Sequence, residues 1–136
     1  MKDNFSYILK NAGLKITPAR LAILALFSKE CGPIDAFTVF KKLKNKHIDQ
    51  VTVYRTLTSF LEKAIVVKVN LRKDSVYYEL NNHHHHHIVC NACGAIEEFA
   101  ICDVAAVTEK VIRRSKLFNR IDQHSLELFG VCKSCK

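Results

Sequence analysis

Acidic side chains are scarce in this chain: 13 aspartates and glutamates stand against 21 lysines and arginines, a net charge of +8. That imbalance favours a polyanionic partner such as nucleic acid or an acidic membrane surface. Long apolar runs are also missing, and none approaches the roughly 20 residues that a membrane span needs. The opening MKDNFSYILKNAG lacks both the apolar core and the small-residue cleavage site of a signal peptide, so a cytoplasmic location with no membrane is expected. There is no internal repeat, and the only low-complexity segment is a run of histidines. Apolar residues are not scarce. They make up 49% of the 136 residues, which suits one ordinary domain or two small ones and argues against global disorder. Six cysteines are present. In a reducing compartment they read as thiols or metal ligands rather than disulfides.

The first half reads as short helices. Phe5, Ile8, Leu9 and Ala12 recur at helical spacing, and Gly13 follows as a stop. In KITPARLAILALF, Thr17 suits an N-cap and Pro18 the first helical position, where its missing N–H costs nothing. Leu21, Ile23, Leu24 and Phe27 give that helix a broad apolar face. Asp35 can cap a third helix carrying Ala36, Val39, Phe40 and Leu43. A fourth fits QVTVYRTLTSFLEKA, with Val53, Leu57, Phe60, Leu61 and Ala64 on one stripe. Thr52, Arg55, Thr56, Ser59 and Lys63 fall on the other side, without an acid among them. A face of donors and small hydroxyls suits a DNA groove, and a merely solvated face is the alternative.

Strand signals follow. IVVKVNL (65–71) and SVYYEL (75–80) are β-branched and aromatic, and Arg72-Lys73-Asp74 makes the turn between them. A basic-tipped hairpin after a helix-turn-helix pattern is the layout of a winged helix. Asn81-Asn82 is the natural boundary. The expected organisation is therefore α+β: a winged helix-turn-helix domain over 1–80, a hinge at 81–82 and a small α/β domain over 83–136. In the second domain HHIVC and AIEEF read as strands, Val104, Val107, Val111 and Ile112 mark a helix, and RIDQHSLELFGV reads as a final strand.

Cys90-x-x-Cys93 and Cys132-x-x-Cys135 are identical knuckles with 38 residues between them. Each can place two thiolates on one cation, and together they make a closed tetrahedral site of the kind that holds structural zinc. Redox chemistry is the competing reading of a single such motif. Cys31 and Cys102 are left over and read as small buried residues.

The run His83–His87 lies inside the chain, unlike a terminal purification tag. In an extended segment side chains alternate, so His85 and His87 share one face, and His84 and His86 share the other. Glu79 and Glu98 can join the first pair in a mixed nitrogen–oxygen site suited to Fe(II), Mn(II) or Zn(II). His124 can join the second pair. Adventitious metal binding, as in a tag, is the plainer alternative. His83 receives no role.

The ordered set AGLKITPAR (12–20), TVYRTL (52–57), HHHHHIVCNACG (83–94), IEEF (96–99), HSLELFG (124–130) and CKSC (132–135) resembles the ferric uptake regulator family. That family also holds zinc-uptake regulators, manganese regulators and peroxide sensors. The resemblance covers nearly the whole chain. It implies a homodimer, with a tetramer as a further state, that binds an A/T-rich palindromic DNA operator and represses metal-homeostasis genes, with iron the favoured effector. It implies DNA contacts by Lys15, Arg20, Thr52, Tyr54 and Arg55. Structural zinc falls on Cys90, Cys93, Cys132 and Cys135; a regulatory Fe(II), Mn(II) or Zn(II) on Glu79, His85, His87 and Glu98; and a second ion on His84, His86 and His124.

Two positions depart from the family pattern. Pro33 stands where many relatives carry a ligating histidine, with Cys31 nearby. Ala105 stands where many carry a carboxylate for the second site. A zinc-uptake regulator or a peroxide sensor remains an alternative within the family. A metal buffer or chaperone is the alternative outside it, and it leaves the TVYR helix without a role. The chain reads as a non-enzyme, because no nucleophile–base constellation accompanies Glu98.

Overall fold

The computed structural model of the chain describes residues 4–30 and 32–136. It forms two compact units, Met1–Asn82 and His83–Lys136.

In the first unit, side-chain caps set where the helices begin. Helix α1 (Phe5–Asn11) starts where Asn4 accepts from the Tyr7 N–H at 3.0 Å, and the chain leaves it through Gly13 at φ 74°. Helix α2 (Pro18–Lys29) has Thr17 as N-cap, accepting from the Arg20 N–H at 3.2 Å. A two-residue strand β1 (Ile34–Asp35), not foreseen from the sequence, leads directly into α3 (Ala36–Lys42). Asp35 thus ends a strand and caps a helix, accepting from the Thr38 N–H at 2.9 Å. After a 3-10 turn at Lys44–Lys46 comes α4 (Gln50–Glu62), capped by Asp49 on the Thr52 N–H at 2.7 Å. Strands β2 (Val66–Val69) and β3 (Tyr77–Leu80) form an antiparallel hairpin, and β1 pairs with β3, giving the sheet order β1-β3-β2. Leu9, Ile23, Leu24, Val39, Val53, Leu57, Phe60 and Val66 are fully buried together. Side chains of this kind contribute about 1.5–3 kcal/mol each when removed from water. Helices packed over a three-stranded wing make this unit a winged helix-turn-helix.

The second unit is a small sheet and one helix. Strand β4 (His86–Cys90) pairs antiparallel with β5 (Ile96–Phe99) and parallel with β6 (Glu127–Gly130), in the order β5-β4-β6. Helix α5 (Val104–Arg114) lies between β5 and β6 in sequence, and none of its residues is buried. The fold class is α+β, as the element pattern predicts. The final strand is shorter than its pattern suggests, because only Glu127–Gly130 pairs with β4. No helix among the described residues is long and apolar enough to cross a membrane.

Candidate metal centres and nucleic-acid face

Helix α4 buries Val53, Leu57 and Phe60 and turns Tyr54 and Arg55 to solvent, with Thr52 half-buried. Thr56 departs from expectation. It is buried against the core rather than aligned with the polar face, because it follows Val53 by three residues and precedes Phe60 by four, which keeps it on their side of the helix. The exposed face therefore runs through Val51, Tyr54, Arg55 and Thr58, whose hydroxyl donates to the Tyr54 carbonyl at 3.0 Å. Lys15 is exposed on the segment before α2, and Arg20 donates through Nη1 to the Lys15 carbonyl at 2.7 Å. Arg20 thus braces the backbone that carries Lys15. Its guanidinium has further donors beyond this bond. At the tip of the hairpin Arg72 is left-handed at φ 53°, and the Lys73 ammonium lies 5.4 Å from the centre of the Tyr77 ring.

The parallel register of β4 and β6, with Cys90 opposite Gly130, brings the two cysteine knuckles together. All four Sγ atoms lie within 4.8 Å of one another. Four thiolates at about 2.3 Å from a tetrahedral zinc stand roughly 3.8 Å apart, and Cys93 and Cys132 stand 3.7 Å apart. Gly94 turns the first knuckle at φ 79°, its N–H bonded to the Cys90 carbonyl at 2.9 Å. The Cys132 N–H donates to the Cys90 sulfur at 3.3 Å. That bond and the N–H groups of Cys93 and Ala92 pull the Cys90 thiol down to about 6. The Cys135 thiol, hydrogen-bonded to the sulfurs of Cys132 and Cys93, is pushed up to about 12. Crowded sulfurs resist successive ionisation, and a divalent cation supplies the charge that lets all of them ionise. The donor set and its spacing fit zinc.

The histidines separate by face. The rings of His85 and His87 lie 4.8 Å apart, and those of His84 and His86 lie 4.7 Å apart, with His124 at 5.1 and 5.3 Å from the latter two. His86 is buried, and its Nε2 has no hydrogen-bond partner among the described residues. Burial, followed by the neighbouring His84 and His124, holds the His86 pKa below its ordinary value. On the other face Glu98 sits opposite His87 in the β4–β5 register. Its carboxylate is 2.9 Å from His83 Nε2 and 3.9 Å from His85 Nε2. The hydrogen bond from His83 is the largest influence on Glu98; opposed by burial and reinforced by His85 and His87, it leaves the carboxyl pKa lowered. Glu79 lies in β3, opposite Val67.

The structure thus gathers Cys90, Cys93, Cys132 and Cys135 into one group and His84, His86 and His124 into another. His85 and Glu98 lie together in a third, whose other member is His83. The sequence pattern assigns His83 no role, although its i, i+2 relation to His85 is a usable signal. Cys102, expected as a small buried residue, is instead half-buried, with its Sγ 3.5 Å from His124 Nε2. Pro33 is buried ahead of β1, and the expectation for Cys31 lies outside the described residues.

A family model described as the ferric uptake regulator family matches residues 11–129. The ferric uptake regulation protein of Cupriavidus metallidurans is 37% identical, covering 91% of this chain and 88% of its own. That of Neisseria gonorrhoeae is 35% identical, covering 98% and 96%. Among solved structures, the ferric uptake regulator of Vibrio cholerae aligns with a TM-score of 0.77 at 35% identity, covering 96% of this chain and 100% of that one. The iron-containing regulator of Francisella tularensis aligns at 0.75 and 33% identity, covering 90% and 95%. A zinc uptake regulator in complex with zinc and DNA aligns at 0.68 and 26% identity, covering 95% and 88%.

Proposed function

The chain belongs to the ferric uptake regulator family, and on that premise we propose that it represses metal-homeostasis genes by binding a two-fold, A/T-rich operator as an iron-gated homodimer. It is a metal-responsive transcriptional regulator. The observation that carries the finer reading is that the histidine run meets further donors in two places, His85 beside Glu98 and His84 and His86 beside His124. Alternation alone would separate the histidines of any extended run, but it would not supply the Glu98 carboxylate or the His124 ring.

In this reading Tyr54 and Arg55 contact the operator from α4, with Thr52 beside them, while Lys15 enters the minor groove and Arg20 holds its approach. Cys90, Cys93, Cys132 and Cys135 hold structural zinc, and His84, His86 and His124 hold a second ion. His85, His87 and Glu98 take the regulatory ion, with Glu79 as the further carboxylate that the family resemblance implies. Two imidazoles with two carboxylates suit Fe(II) or Mn(II). Binding of that ion favours the dimer whose two recognition helices match two half-sites one turn apart. A ligand shifts such an equilibrium only by its differential affinity for the competent form. A coupling of about 1–3 kcal/mol changes operator affinity about 5- to 150-fold. In the second unit Ile101, Leu117 and Phe118 are 83%, 88% and 68% exposed, apolar side chains that a dimer partner would cover.

Operator-binding anisotropy at buffered free metal and fixed salt tests the reading. Fe(II), added anaerobically, is expected to tighten binding to a fragment of the gene's own promoter. The variant H85A/H87A is expected to lose that response while keeping its four-cysteine zinc and its dimer. Affinity that ignores added metal in the parent protein would leave a DNA-binding protein whose histidines are not its switch.

A further inference from the structure

We propose that Cys102 is the fourth ligand of the site formed by His84, His86 and His124, making it a closed centre of three nitrogens and one sulfur that selects zinc or cobalt over iron or manganese. The proposal rests on the reading of those three histidines as a metal site and adds to it a ligand and a metal class.

Geometry is the first support. One donor atom from each of the four residues lies within 4.8 Å of every other. A nitrogen at about 2.05 Å and a sulfur at about 2.3 Å from a tetrahedral zinc stand roughly 3.6 Å apart. Cys102 Sγ and His124 Nε2 stand 3.5 Å apart. The second support is the buried Nε2 of His86, which has no partner among the described residues and belongs to the same group. Buried polar atoms left without a partner call for an explanation, and an ion is one.

Rival donors are few. Ala105 and Asp122 share with Cys102 the lining of an adjoining cavity of about 370 Å³. Ala105 has nothing to offer a metal. Asp122 is paired to the Arg120 guanidinium at 2.8 Å and lies outside the four-residue group. The cavity also reaches His84 and His124, so an ion can enter from it without opening the sheet.

A thiolate changes what the site prefers. Sulfur ligands favour the borderline-soft ions Zn(II) and Co(II), whereas carboxylate and water favour Mn(II) and other hard ions. The two faces of β4 would then differ in kind. The Glu98 face offers nitrogen and oxygen, and the Cys102 face offers nitrogen and sulfur.

Cobalt titration tests this on full-length protein whose four-cysteine site is kept zinc-loaded, with zinc release monitored by a chromophoric chelator. The parent protein should take up Co(II) with intense tetrahedral d–d bands and a sulfur-to-cobalt charge-transfer band. C102S should lose the charge-transfer band and weaken Zn(II) binding by more than about tenfold, the loss expected when even a supporting partner of a metal site is removed. Its Mn(II) affinity should move much less. H124A should lose both bands. If C102S keeps the parent spectrum and affinity while H124A loses them, Cys102 only donates a hydrogen bond to His124, and the proposal fails with the three-histidine site intact. If neither variant alters cobalt uptake, the three-histidine site fails as well. Zinc-dependent protection of Cys102 from alkylation, read by mass spectrometry, checks the ligand without spectra, and unchanged alkylation would count against it.

Discussion

Asp35 ends β1 through its backbone and caps α3 through its carboxylate. Burial alone would raise its pKa, but the hydrogen bonds from the Thr38 hydroxyl and N–H and from Ser75 hold it below the ordinary carboxylate value. A carboxyl depressed in the folded state stabilises fully above its unfolded pKa, and that contribution is lost as pH falls through the folded value. The variant D35N keeps an acceptor for the Thr38 N–H but cannot ionise. Its melting temperature should therefore fall less steeply than the parent's on acidification, and identical acid slopes would remove Asp35 from the account. Glu98 titrates with the same sign, since its carboxyl is also held low by His83. His86 acts in the same direction for a different reason. The buried ring resists protonation, so acid opposes the fold there by forcing charge into the interior.

At the scale of elements, the end of α4 is where the backbone is strained. The helix closes with the Ile65 N–H on the Phe60 carbonyl at 2.8 Å and the Ala64 N–H on the Leu61 carbonyl at 3.0 Å. That closure puts Ala64 at φ 56°, a left-handed conformation that glycine adopts without steric cost and alanine does not. Asn81 fastens the other side of the turn, donating through Nδ2 to the Ala64 carbonyl and through its N–H to the Ile65 carbonyl, both at 3.0 Å. A64G should stabilise the protein by about 1 kcal/mol. Chemical denaturation checks this. A lower midpoint would mean that the greater freedom of the unfolded glycine chain outweighs the relief of strain.

The whole molecule divides unevenly in how it is held. The apolar core runs from Leu9 to Val66 and lies within the winged-helix unit. The second unit buries Val89 and Cys90 with two histidines, while α5 buries nothing. A small unit with so little apolar interior depends on metal or a partner for stability. Stripping the zinc proposed for the four-cysteine site with a chelator under reducing conditions should therefore unfold residues 83–136 and leave the first unit folded. Limited proteolysis should then yield a resistant fragment ending near Asn82. Resistance of the whole chain after zinc loss would show that packing, not the ion, sustains the second unit.

Much of this was legible in the sequence because the signals are local. Thr17 and Asp35 each accept from an N–H three residues on and mark where α2 and α3 begin, whereas the matching cap of α4 by Asp49 was seen only in the structure. Apolar spacing identifies their buried faces, and i, i+2 alternation sorts the histidines before any coordinates exist. The tertiary structure decided what no local pattern carries. Strand β1 is two residues long and exists only because β3 lies beside it. Thr56 is polar by type and buried by its place on the helix. The parallel pairing of β4 with β6 comes from strands far apart in sequence, and it sets one cysteine knuckle against the other. Cys102 and His124 lie in irregular segments 22 residues apart, with no periodicity to relate them. Their meeting depends on how β5, α5 and β6 return the chain to the same face of the sheet.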